Sequence, residues 1–164
     1  MLRVGLAGGI LGLAAAISIS MGSLSAGEPG GAGDLAALQG RWTLLHCEYE
    51  GRPQMTPEVM KQITAVFDQN DYTLYFADKG KDGQARAIVL ATVQVTLDPT
   101  TQPKGITFEF KEGPLKGQKR HGIYELAGNQ LKLCYGPAER PRPQEFRAPP
   151  GSGYFLETWA RHIR

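Results

Sequence analysis

The sequence is short of the side chains that most chemistry needs. Two cysteines and three histidines stand in 164 residues. His46, His121 and His162 share no ligand spacing with one another or with a cysteine, and HExxH, HxH and CxxC are absent. No metal site is therefore predicted. Net charge is also scarce, with 18 Lys+Arg against 16 Asp+Glu. That balance excludes the concentrated positive field nucleic acid requires. The "GSG" at Gly151 lacks the fixed positions of a nucleophile elbow. The glycines fall in turns and form no phosphate cradle, and Asp78 and Asp82 in "DKGKDG" are too few for a calcium loop and suit a hairpin turn. No catalytic set and no cofactor site emerges, so the chain reads as a non-enzyme.

Long apolar runs are missing too, save one. After Met1-Leu2-Arg3, an uncharged stretch from Val4 to Met21 leads into "GSLSAGEPGGAGD". A basic start, an apolar centre and a small-residue exit are the layout of a secretory signal. Residues 1–26 are read as that signal, with cleavage after Ser25 or Ala26. An uncleaved leader would instead anchor the chain in the membrane, because the run approaches bilayer length. Export places the protein in the periplasm, cell envelope or extracellular space. Removing Arg3 with the leader lowers the 18 basic residues to 17, a net charge of +1. Residues 27–34 read as a flexible linker and 35–164 as one domain.

Within that domain the pattern is period two. "DLAALQ" suggests a helical turn capped by Asp34. The strand "RWTLLHCEYEG" follows, then a short helix in "MTPEVMKQI", where Thr56 caps and Pro57 takes the first helical position. From Thr64 onward, alternating segments are parted by turn residues. Val89, Ala91, Val93, Val95 and Leu97 share one face of the longest, and Ile106, Phe108 and Phe110 one face of the next. Short alternating strands at this spacing predict an all-β fold, an antiparallel barrel of about eight strands with a short helix after the first strand.

Several pieces are distinctive in combination: Gly40-Arg41-Trp42, Glu50-Gly51-Arg52-Pro53, Gly122 to Leu126, Leu131 to Cys134, Arg142-Pro143-Gln144-Glu145-Phe146 and Pro150 to Gly153. In this order they resemble a family of small exported lipocalin-like domains of unknown function, typical of planctomycete-type bacteria. The likeness runs from about Leu38 to the C-terminus. It implies a lipocalin or calycin-like barrel, and it implies no reaction. Gly-x-Trp also opens lipocalins proper, so Trp42 is expected to lie across the closed barrel end, where its ring buries much apolar area.

A barrel of this size is filled by side chains or holds one small ligand. Phe67, Leu74, Phe76, Phe108, Tyr124, Leu133 and Tyr135 are the candidate lining of an apolar or amphipathic ligand site, and equally the contents of a filled core. Glu109, Glu125 and Glu157 read as outward polar positions, with two of them meeting inside as the enzymatic alternative. Cys47 and Cys134 lie in strands. A bridge requires neighbouring strands and matching faces, and two buried thiols are as ordinary. Between Tyr135 and Gly153 stand five prolines and three arginines, Arg140, Arg142 and Arg147. Proline bars this run from a central strand. It reads as a stiff cover over the barrel rim with Phe146 tacked to the core, and its arginines could meet an anion. Two functions follow. One is a binding protein for a small apolar or amphipathic molecule. The other is a cell-envelope interaction or structural module using its outer surface and the loop 136–153.

Overall fold

A computed structural model describes residues 30–163. The leader 1–26 lies outside the described residues. Helix α1 spans Gly30–Leu38, followed by β1 (Gly40–Tyr49), β2 (Arg52–Pro53), helix α2 (Pro57–Met60) and β3 (Ile63–Asp68). Then come β4 (Asp71–Lys79), β5 (Ala85–Asp98), β6 (Gly105–Phe110), β7 (Lys119–Ala127), β8 (Gln130–Pro137) and β9 (Phe155–Arg161). All pairings are antiparallel, in the order β1-β3-β4-β5-β6-β7-β8-β9, and β9 pairs back onto β1. The result is a closed eight-stranded, calycin-like barrel. The two-residue β2 is an addition to the outer half of β1.

One barrel end is shut. Trp42 has no exposed surface, and its indole N–H donates to the Leu38 carbonyl at 2.8 Å. The Arg161 guanidinium lies 4.3 Å from the Trp42 ring centroid and donates to the Gln39 carbonyl at 2.6 Å and to that of Ala37. Trp42 thus packs between helix α1 and the Arg161 side chain. The same turn ties α1 to both strands that bracket the seam.

Helix α1 corrects the sequence reading. It begins at Gly30, inside the stretch 27–34 read as a linker, and Asp34 sits within it rather than at its cap. A glycine-rich helix has little intrinsic stability, so tertiary contacts must hold it. Leu38 is fully buried, and Asp34 accepts from the Tyr124 hydroxyl at 2.5 Å and the Lys104 ammonium at 2.7 Å. Burial alone would raise the Asp34 pKa, but these two hydrogen bonds and the Lys104 charge outweigh it and hold the carboxyl below its ordinary value.

Two further readings change. The alternation puts Val89 on one face with Val93 and Val95, yet those two are buried while Val89 is 55% exposed, as are Ile88 and Leu90 to similar degree. The pairing of β4 with β5 shifts between Leu74 and Tyr75; β6 pairs with β5 only from Val93 onward and β3 with β4 only as far as Phe76, so the far ends of the two strands run on as a ribbon. The Pro/Arg loop does not cross the rim. It descends the outer wall, where Pro143 and Ala148 are buried and the Cys134 thiol donates to the Arg147 carbonyl at 3.3 Å. Cys134 and Ile123 face outward and are apolar, so the loop serves as their cover.

Candidate ligand-binding site

The inward faces of the strands build a ladder of rings from the shut end toward the other. Phe67 meets Tyr72 at 4.8 Å between centroids, Tyr72 meets Phe108 at 5.7 Å, and Phe108 meets Tyr135 at 5.2 Å. Tyr135 stacks on Phe155 at 5.4 Å, and Phe155 meets Tyr49 at 4.6 Å. These separations suit edge-to-face and offset pairs. Gly122 makes room for the ladder. A Cβ there would lie 2.6 Å from that of Tyr135 on the paired strand.

Beside the ladder a cavity of about 60 Å³ remains, lined by Tyr72, Leu74, Ala91, Val93, Phe108, Phe110, Arg120 and Tyr135. At roughly 30 Å³ per water, that volume holds two waters or a few carbons. The barrel is therefore mostly a filled core with a small pocket at its open end.

Three of the sequence candidates line this pocket: Leu74, Phe108 and Tyr135. Phe67, Tyr124 and Leu133 are buried in the packed interior and do not line this pocket, and Phe76 packs half-buried against the core. The three loop arginines belong to the outside. Arg142 donates to the Gly122 carbonyl at 3.1 Å and the Thr107 hydroxyl at 3.4 Å, filling the space that the missing side chain of Gly105 leaves. Arg147 is exposed and paired with Glu145 at 3.2 Å, and Arg140 is exposed. None of the three reaches the pocket. Phe146 likewise packs on the outer wall, under the Lys132 ammonium.

Glu157 was read as outward, and the structure turns it inward, 6% exposed. Its Oε1 accepts from the Tyr135 hydroxyl at 2.7 Å and its Oε2 from the Trp159 indole at 3.0 Å. Burial raises its pKa, opposed by those two donors and by the positive charge of Arg120. A buried carboxylate is tolerable when both oxygens are paired. Glu109 and Glu125 do face outward, paired with Lys119 at 3.1 Å and Lys132 at 3.5 Å. Of these three carboxylates only Glu157 lies inside the barrel, so no two of them meet there. Among the described residues no three His, Cys, Asp or Glu converge as metal ligands.

Cys47 lies inward opposite Glu157, while Cys134 lies outward opposite Leu156. Strand β9 and the thickness of the wall separate the thiols, and both are free. Burial, then the nearby Glu157 charge, pushes the Cys47 thiol to about 12, and burial takes Cys134 to about 11. These are inert structural thiols.

Arg120 is the residue the sequence reading missed. Its guanidinium lies 5.3 Å from the Phe155 ring centroid, 5.6 Å from Phe110 and 5.9 Å from Tyr135. The available signal was its period-two spacing, two residues from Gly122 and four from Tyr124, which places it on the inward face of β7.

No family model matches the chain, and no curated protein matches it. Two solved structures are similar in shape. An uncharacterized protein from Bacteroides eggerthii DSM 20697 is 12% identical, with a TM-score of 0.45 over 76% of this chain and 99% of that one. A mutant of the fluorescent protein UnaG is 9% identical, with a TM-score of 0.37 over 79% of this chain and 99% of that one.

Proposed function

We propose that the chain is an exported, non-catalytic binding protein of the lipocalin-like family it resembles, taking one small amphipathic molecule at the open barrel end. One observation carries this reading. The pocket is apolar on most sides, lies inside the barrel, and is bordered by a single charged group. Small-molecule sites combine an apolar lining with few polar groups in this way, though most are several-fold larger. Its size therefore limits the enclosed part of the ligand to a few carbons, with the polar end at the mouth. The basic, apolar and small-residue order of residues 1–26 supports export.

A titration with straight-chain alcohols, followed by backbone amide shifts and melting temperature, tests the binding. A molecule that binds only the folded form raises the melting temperature. Affinity should rise with chain length and level off once the pocket is filled, with shifts at Leu74, Val93, Phe108 and Tyr135. A series that moves none of these resonances refutes the reading. Mass spectrometry of the protein from a bacterial envelope fraction tests the leader, with a mature N-terminus at Ala26 or Gly27 expected.

The envelope-module alternative draws on a different observation. Ile88, Val89 and Leu90 are exposed on the β4–β5 ribbon, on an edge of β5 that β6 does not cover. An open apolar edge favours contact with another surface. Retention on isolated envelopes that Leu90→Lys abolishes, together with no response to alcohols, would favour it.

A further inference from the structure

We propose that Arg120 is the anion-recognition residue of this barrel and that its ligand is a short-chain carboxylate. The proposal rests on the binding reading above and names the chemistry of the ligand's head.

Arg120 is the one charged side chain bordering the cavity. An inward arginine in a small barrel normally spends its N–H groups on a carboxylate or carbonyl. Glu157 is the nearest interior candidate, but Tyr135 takes one of its oxygens and Trp159 the other. Among the described residues the Arg120 side chain makes no hydrogen bond and no ion pair. Its position comes instead from the three rings of Phe110, Tyr135 and Phe155. Cation–π contact holds a guanidinium through its face and leaves the N–H groups on its edge free.

A planar fork with free donors, immobilised before the ligand arrives, matches a carboxylate bidentately. Preorganisation of this kind cuts the entropy lost on binding. The cavity beside it accepts the apolar tail. A head carrying more than one negative charge would leave the surplus unmatched, because Arg120 is the one cation bordering the pocket.

Titrations of the intact domain with butyrate, butanol and propyltrimethylammonium at constant ionic strength and near-neutral pH test this, read by amide and Arg120 side-chain shifts. Butyrate should bind about tenfold or more tightly than butanol, the fold-change a charge-assisted hydrogen bond is worth. The ammonium should bind no better than butanol. Arg120→Gln should erase the preference for butyrate over butanol, while Arg120→Lys, which keeps the charge and loses the fork, should retain part of it. Equal affinity for butyrate and butanol in the wild type overturns the proposal and leaves the binding reading standing. So does a preference that survives in Arg120→Gln. Binding of none of the three overturns both. Should Arg120→Gln fail to fold, the wild-type comparison and the shift of the Arg120 side chain decide alone.

Discussion

The Tyr135 hydroxyl donates to Glu157 Oε1 at 2.7 Å inside the barrel, where Glu157 is buried and Tyr135 half-buried. This pair couples the interior of the barrel to pH. The Glu157 pKa is raised in the fold, chiefly by burial, above its ordinary value of 4.5. A raised folded value means the native state holds the proton more tightly than the unfolded chain does. Its contribution is fully present below about 4.5 and is lost as pH rises through the folded value. Denaturant melts across that range should show wild type losing stability relative to Glu157→Gln as pH increases. The difference should become flat once both states are ionised. A difference that stays flat throughout would mean that Glu157 titrates alike in both states.

Trp42→Ala should cost about 3–5 kcal/mol, the range for deleting a large buried ring. It also leaves the Leu38 carbonyl without its indole donor and removes the ring under Arg161. That is a large part of the ~5–15 kcal/mol holding a small domain together. Trp42→Phe keeps most of the apolar area and should lose markedly less. Urea melts of both variants read the order directly.

The loop arginines should separate by what they touch. Arg142→Ala deletes two hydrogen bonds to the outer wall and empties the notch beside Gly105, with an expected loss of about 1.5–3 kcal/mol. Arg147→Ala removes only an exposed pair with Glu145 and should fall within about 0.5 kcal/mol of wild type. Equal effects in thermal or urea melts would contradict the placement of the loop on the wall.

Thiol labelling should count two cysteines per chain in denaturant without reductant, since Cys47 and Cys134 lie on opposite faces of the wall with β9 between them. In the native state both should label slowly, because burial holds each thiol protonated. Rapid native labelling of Cys134 would show the loop opening away from Ile123 and Cys134.

The strands were legible from residue to residue. Period two is a local property, and Ile106, Phe108 and Phe110 announce a buried face whatever they pack against. The short helix with its Thr56 cap is legible for the same reason. The second half of helix α1 was legible in "DLAAL"; its first turn was not, because its glycines argue against a helix and only Lys104 and Tyr124, some 70 and 90 residues away, hold Asp34 in place. Glu157 lies in "FLETWAR", which carries apolar residues on both faces, so alternation alone does not say which face is inside. Donors from Tyr135 and Trp159 decided it, by making a buried carboxylate affordable in the interior. Arg120 reached the cavity mouth by the same kind of long-range fit, with rings from three other strands converging on one guanidinium. The sequence alone determined which residues alternate. Closure of the sheet, which brings β9 against β1, decided which of them share an interior and what that interior can hold.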